Sequence, residues 1–422
     1  MVERFSHDFD WLILVSALVL IGMGLLTLYS VGHVPGELRE TFPAGESIFF
    51  EKQLIWSLLG LVVMAIAFFI PFSYYESTAV VLYAVGVILL IVVLFLETAK
   101  GANRWIVLGT FRFQPSEFMK IAVLFLLARF LAEKRNNPNH LKVFAIAALI
   151  ALVPFPLVVK QPDLGTALVF PALLIPILYW RGLNEGVLII FISSVAGAFF
   201  TIYSKWSLGP DTYPYPLLIY LLLIFYVAYR RRRYLLQGIA LVGINLGVML
   251  IVPVLWDRLH VYQQGRILAF LRPESDILGS GWQVYQSKVA IGSGGFLGKH
   301  FLQGTQKLLA FLPERHSDFV FSVLSEELGF LGSLLVIVLF TVIVVRALYL
   351  AAKVKNRFAS IAAIGICAYF AFHVIINIGM TVGLAPVTGL PLPFMSYGGS
   401  SMIVSCFFIG VLLNFSVRFY EY

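Results

Sequence analysis

Charge is what this sequence has least of. Only 12% of its 422 residues are Asp, Glu, Lys or Arg, 60% are hydrophobic, and the mean hydropathy is +0.92. A soluble domain does not sustain that balance, because too little polar surface remains to face water. Cysteine is scarce too. Cys367 and Cys406 both lie within apolar runs and read as small core residues, which supports neither a disulfide framework nor a cysteine metal site. The first apolar block, 11–30, is too long for a signal-peptide core and has no small-residue cleavage site after it, so it reads as a retained helix. A phosphate loop is missing as well: "GSGGFLGKH" (292–300) places Ser293 where the first glycine belongs and His300 where the magnesium-binding hydroxyl belongs.

What is present is length in apolar blocks. About twelve of them approach the roughly 20 residues that span a bilayer core: 11–30, 53–70, 76–97, 117–133, 141–159, 166–181, 186–203, 216–230, 235–255, 329–350, 358–382 and 395–416. The fold class is therefore all-α, a polytopic helical membrane protein with about 12 transmembrane helices. Lys and Arg fix its orientation. With the N-terminus in the cytoplasm, the inside loops hold Lys134, Arg135, Lys142, Arg181, the Arg230–Arg233 run, Lys353, Lys355 and Arg357. The outside loops are poorer, and the even count returns the C-terminus to the cytoplasm. The net charge of +8 then belongs to topology and to anionic membrane lipids, and no nucleic-acid partner is needed. This orientation leaves 256–328 as one large extracytoplasmic loop with seven Lys/Arg and seven Asp/Glu. A loop of that length and mixed charge is more often functional than idle. Its apolar residues, such as Val284, Val289, Ile291, Phe296 and Leu297, read as short amphipathic pieces at the membrane surface.

Four stretches carry chemistry. In "FRFQPSEFMK" (111–120), Pro115 and Ser116 open a helix and Glu117 with Lys120 at i,i+3 share one face. Ionisable groups entering a membrane helix are expensive, so the pair is either functional or packs the helix as an ion pair. In "KQPDLGTAL" (160–168), Asp163 fits a helix-start acceptor as well as it fits a catalyst. "GLPLPFMSYGGSS" (389–401) has prolines that stop a helix and a small set, Ser396, Gly398, Gly399, Ser400 and Ser401, that either lets backbones pack closely or floors a headgroup cavity. In "LPERHSDFVFSVLSEELG" (312–329), His316 reads as a solvated surface histidine, and Glu326 and Glu327 as acidic residues suited to a helix start. The backbone N–H groups around Gly292 to Gly295 offer an anion nest for a diphosphate or a plain flexible turn.

Taken together, these motifs closely resemble the SEDS family (shape, elongation, division and sporulation), and "NIGMTVGLAPVTGLPLPFMSYGGSS" (377–401) looks most like its RodA branch. "GANRWIVLGTFRFQPSEFMK", "KQPDLGTAL", "RILAFLRPESDILGSGWQVYQSKVAIGSGG" and "FLPERHSDFVFSVLSEELG" occur in the family's order over most of the chain. The family usually has ten helices, so the resemblance implies a family core of ten plus an inserted helix pair at 186–230, within a single membrane domain over 1–422. It further implies a peptidoglycan glycosyltransferase of the bacterial cytoplasmic membrane that polymerises lipid II, an undecaprenyl-diphosphate-linked disaccharide pentapeptide, during cell elongation and shape maintenance. By the same resemblance Asp276 is the catalytic carboxylate, and Glu117 and Lys120 form a charge pair that matters for activity. Arg104, Asp163, Lys288, Ser396, Gly398 and Gly399 are the supporting candidates.

The chemistry asks for one base near the attacking hydroxyl and positive charge near the leaving group. Asp276 is the candidate base. Lys120, Arg104 or a divalent cation, Mg2+ or Mn2+, is the candidate for steadying the diphosphate, and no organic cofactor is required. No transpeptidase signature is apparent in the chain, so the resemblance assigns crosslinking to a class B penicillin-binding protein, a PBP2-like transpeptidase, among other elongation-complex partners. Two other readings fit a chain of many helices with buried charge: a lipid II flippase or transporter, and a scaffold of the wall-synthesis complex.

Overall fold

The computed structural model of the chain describes residues 9–32, 47–96, 104–108, 111–207, 214–230, 235–259, 261–271, 281–304 and 315–418. Away from water every backbone N–H and C=O needs a partner within its own segment, so the apolar runs become helices. In chain order these are α1 (Trp11–Gly32), α2 (Ser47–Phe69), α3 (Phe72–Leu94), a short ribbon of β1 (Ile106–Leu108) and β2 (Phe111–Phe113), α4 (Pro115–Ala132), α5 (Leu141–Leu152), α6 (Pro154–Val159), α7 (Leu164–Trp180) and α8 (Glu185–Ile202). A π-helical turn (Tyr203–Ser207) follows, then α9 (Pro214–Arg230), α10 (Leu235–Trp256), α11 (Val261–Leu271), α12 (Trp282–Ser293), α13 (Val320–Lys353), α14 (Arg357–Thr381) and α15 (Gly399–Val417). Among the described residues, nine helical spans are long and apolar enough to cross a membrane, and α7 and α9 are shorter apolar helices. The protein is a polytopic helical membrane protein.

Each apolar block of the sequence falls on helix, with three differences. The block 141–159 is broken into α5 and α6 ahead of Pro154, as expected where a proline removes a backbone donor. The last block starts late: 383–398 is irregular, and α15 begins only at Gly399, beyond the prolines. The block at 329 starts early. α13 begins at Val320 and kinks at Gly329, whose φ of 63° is left-handed backbone that glycine adopts without penalty. The antiparallel β1–β2 ribbon, pairing Ile106 with Phe113, is a small departure from an all-α chain.

The chain divides into two compact units, Met1–Arg181 with Gln286–Tyr422, and Gly182–Tyr285. In the larger one, α15 packs along α2, α13 along α1 and α14, and α4 lies against α3, α7 and α14. Burial sorts these helices: 83% of the apolar window of α15 and 61% of that of α14 is enclosed, against 22% for α3. The outward helices present bare hydrocarbon such as Val81, Ile88 and Phe95, the surface expected against lipid rather than water. At the head of α15, Gly399 lies so close under the Trp56 ring that a Cβ there would enter it.

The smaller unit groups α8 and α9 with α10. Tyr220, Ile224 and Leu241 form its apolar core. Inside it, Asn245 donates to Ser193 Oγ at 2.9 Å and to the Leu241 carbonyl at 2.7 Å, and accepts from the Tyr220 hydroxyl at 2.5 Å.

Candidate functional site

The head of α4 carries two of the singled-out residues, Glu117 and Lys120. Pro115 opens the helix, where its missing N–H costs nothing, and Glu117 occupies the first turn, where the helix dipole favours a carboxylate. Lys120 Nζ donates to Glu117 Oε1 at 2.6 Å, with both side chains buried. This is the i,i+3 pair the sequence predicts. A third member was not legible there: His373 of α14 places Nε2 3.2 Å from Lys120 Nζ. Its Nδ1 lies 2.9 Å from the Tyr369 carbonyl, which can only accept, so Nδ1 carries the proton and Nε2 turns its lone pair to the ammonium. The Tyr369 ring lies 5.6 Å from the same nitrogen. Lys120 has no exposed surface. The expectation that it steadies a diphosphate directly is thereby corrected: its ammonium is aimed at three groups of the protein's own interior. Glu117 Oε2 and Ser116 Oγ have no partner among the described residues.

Just outside this cluster Asp163 caps α7, accepting from the Thr166 N–H at 3.2 Å, and its second oxygen accepts from Gln114 Nε2 at 2.9 Å. Gln114 in turn donates its backbone N–H to Ser400 Oγ at 3.2 Å. Arg104 donates Nε to the Gln161 carbonyl at 2.7 Å and Nη2 to the Pro162 carbonyl. Asp163 and Arg104 therefore brace the turn between α6 and α7. Arg112 on β2 is exposed beside this frame.

The 389–401 stretch is clamped rather than open. Gln53 of α2 donates Nε2 to the Ser396 carbonyl at 3.2 Å and accepts the Gly398 N–H on Oε1 at 3.1 Å. Ser396 Oγ accepts the Leu392 N–H at 2.8 Å. Close packing is what Gly399 provides here, while Ser396 and Gly398 are held by hydrogen bonds to the Leu392 N–H and to Gln53. Neither Gln53 nor Gln114 was singled out in the sequence. The signal was available, since each is an amide beside an apolar run that must bury its polar atoms with partners.

Asp276 lies outside the described residues, as does the rest of 272–280. Lys288 is exposed on α12, next to Ser287, whose hydroxyl lies 2.6 Å from Ser322 Oγ and donates to the Thr381 carbonyl at 2.6 Å. Three readings of the long loop are corrected. His316 is not a solvated surface group: it stacks on Phe49 at 4.1 Å, and its carbonyl accepts the Tyr397 N–H at 2.8 Å. Glu326 and Glu327 are not at the helix start, since α13 begins at Val320. They are buried ahead of the Gly329 kink, Glu326 accepting from Lys299 Nζ at 2.9 Å and Glu327 from Ser30 Oγ at 2.5 Å. The glycine segment is largely taken up by its own backbone rather than opened as an anion nest: Gly292 and Ser293 lie in α12, and the Gly294 N–H goes to the Ala290 carbonyl. The segment docks into the break in α13, with Phe330 N–H donating to the Gly295 carbonyl at 2.9 Å.

Among the described residues no cluster of three His, Cys, Asp or Glu side chains is arranged to hold a metal ion. The arrangement is a membrane-embedded helical frame with one desolvated charge pair at its centre. That class has a precedent. The model of the cell cycle protein family FTSW_RODA_SPOVE matches residues 10–208 and 212–421, and the chain belongs to this family. It is 37% identical to the peptidoglycan glycosyltransferase MrdB of Escherichia coli strain K12 over 366 residues, covering 86% of this chain and 84% of that protein. It is 34% identical to the peptidoglycan glycosyltransferase RodA of Treponema pallidum, covering 98% and 99%. A solved structure described as "Structural coordination of polymerization and crosslinking by a peptidoglycan synthase complex" is similar with a TM-score of 0.70 and 28% identity, covering 98% of this chain and 99% of that one.

Proposed function

We propose that the chain is a peptidoglycan glycosyltransferase that polymerises lipid II into glycan strands at the outer face of the bacterial cytoplasmic membrane, serving elongation and shape maintenance. The observation that carries this reading is family membership along nearly the whole chain, together with 37% identity to a relative named for that activity. Both termini are cytoplasmic on this reading, and the 256–328 loop is extracytoplasmic.

The reaction forms a C–O bond between the 4-hydroxyl of one sugar and the anomeric carbon of another while the bond to the lipid diphosphate breaks. The hydroxyl proton goes to a carboxylate, assigned to Asp276, and the diphosphate leaves with the bonding electrons. A single displacement inverts the anomeric centre. Arg104 and Asp163 serve by bracing the α6–α7 turn, and the exposed Arg112 is a cation that a diphosphate can reach. A divalent cation, Mg2+ or Mn2+, would neutralise charge on the leaving group. Such an ion would need only one or two carboxylates beside substrate phosphate oxygens, and Asp276 is the carboxylate that would be at hand. The hydrocarbon faces of the outer helices suit an isoprenoid tail.

Likeness to a complex that couples polymerization with crosslinking supports assembly with a crosslinking enzyme, which we assign to the class B penicillin-binding proteins of PBP2 type. The test is glycan formation from purified lipid II in liposomes, with a transpeptidase-inactive partner and Mg2+ or Mn2+. Wild type is expected to make polymer and Asp276→Asn at least about a hundredfold less, the span a positioned base supplies. No polymer from a verified wild-type complex would return the chain to the flippase or scaffold readings.

A further inference from the structure

The Glu117–Lys120 pair poses a problem for any account in which it helps the reaction. Both residues lie on α4, so their mutual bond ties α4 to nothing else, and neither has the exposed surface that a substrate could touch. Whatever they contribute must travel through a neighbour. The neighbour across the interface is α14, and its side chains are polar at a fixed interval.

Tyr369, His373, Asn377 and Thr381 follow one another at i,i+4, a stripe that turns only about 40° per step around the helix. All four are buried. At the inner end His373 accepts from Lys120, its tautomer set by the Tyr369 carbonyl. One turn on, Asn377 Nδ2 donates to the Leu390 carbonyl at 2.7 Å and to the Asp318 carbonyl at 3.2 Å, holding the 389–401 stretch and the lead into α13. At the outer end the Thr381 carbonyl accepts from Ser287 Oγ of α12 at 2.6 Å, and Ser287 also meets Ser322 of α13. The helix thus held, α12, begins six residues after Asp276 in the sequence.

We propose that α14 is a strut joining the buried charge pair to α12, and that His373 is a positioning residue for glycosyl transfer, acting through Lys120. The proposal rests on the polymerase reading. Among the described residues His373 supplies the hydrogen bond that fixes Lys120 to another helix, Asn377 fixes the walls on either side, and Ser287 fixes the helix that follows the segment carrying the assigned base. Each contact is a hydrogen bond between buried groups, where an unmade bond is costly. An apolar residue at 373 leaves the ammonium hydrogen-bonded to Glu117 alone among the described residues, with only the Tyr369 ring facing it from α14, while a glutamine there still offers an acceptor oxygen.

The test measures polymerisation of purified lipid II by the full chain with its transpeptidase-inactive partner, comparing wild type, His373→Leu, His373→Gln, Ser287→Ala and the His373→Leu/Ser287→Ala double variant. His373→Leu is expected to lower kcat roughly tenfold, the value of one charge-assisted hydrogen bond, with KM for lipid II within about twofold. His373→Gln is expected to recover at least about half of the lost rate by retaining that acceptor. Ser287→Ala should also lower kcat, and the double variant should lose little more than the worse single, because both cut the same strut. Normal kcat in His373→Leu, a loss carried wholly by KM, a glutamine no better than leucine, or losses that simply multiply would each overturn the proposal. If His373→Leu does not purify folded, Ser287→Ala decides alone, since it deletes a single oxygen: normal kcat there ends the strut. Inactive wild type is a separate result, because it defeats the polymerase reading itself and with it the role given to α14.

Discussion

Lys120 is enclosed on every side, so its charge is tolerated only because Glu117 and His373 are there to meet it. Removing one member of a buried pair strands the other, whereas removing both relieves the desolvation cost. Lys120→Met is therefore expected to destabilise the protein by about 3–5 kcal/mol, and Glu117→Leu/Lys120→Met to regain most of that loss while remaining inactive. Thermal unfolding in detergent, read beside lipid II polymerisation, checks both halves. Active double variants would mean that the pair only packs α4. The pair itself was legible in the sequence because both residues sit on one turn of one helix. His373 was not, since 253 positions separate it from Lys120 and only tertiary packing brings them together. Asp163 was legible as a helix-start acceptor for the same local reason, while its second partner, Gln114, lies 49 positions away and was missed.

At the scale of an element, α13 is the clearest case of a boundary that hydropathy misplaces. A scan for apolar runs stops at Glu326 and Glu327, yet the helix runs on to Val320, because Lys299 and Ser30 satisfy those carboxylates inside the protein. The kink at Gly329 is what admits the 294–298 segment, and a Cβ there would collide with the backbone of Phe296 and Gly298. Gly329→Ala is expected to cost at least about 1–2 kcal/mol from the left-handed backbone alone, with the collision added. Because the cost falls on the docked segment, hydrogen exchange at the amides of Lys299 and Phe330 should quicken by about tenfold or more, with the C-terminal half of α13 unchanged. Unchanged protection at both amides would show that the segment does not depend on the kink. Glycine richness at 292–298 was visible in the sequence, but its purpose was not: the partners are backbone carbonyls, which carry no side-chain signature.

For the whole molecule, the number and order of apolar spans followed from composition, since a bilayer imposes one length on every crossing. Orientation is assigned from where Lys and Arg fall. With outer membranes permeabilised, an impermeant thiol reagent is expected to label Lys288→Cys and to spare Lys355→Cys until the cells are lysed. Both positions are exposed, and the native Cys367 and Cys406 lie within helices. Equal labelling of the two before lysis would contradict the assigned topology. What apolarity alone could not reveal is the sorting of spans by depth, since α15, the less apolar of the two as a sequence, is far more enclosed than α3. That sorting has a consequence for how the chain can change over generations. Positions on α3 that face lipid are interchangeable among oily residues and will drift almost freely, refusing only charge. Those of α15, packed against neighbours on every side, are confined by volume as well as by polarity, so two membrane-crossing helices of one chain should keep very different historical records.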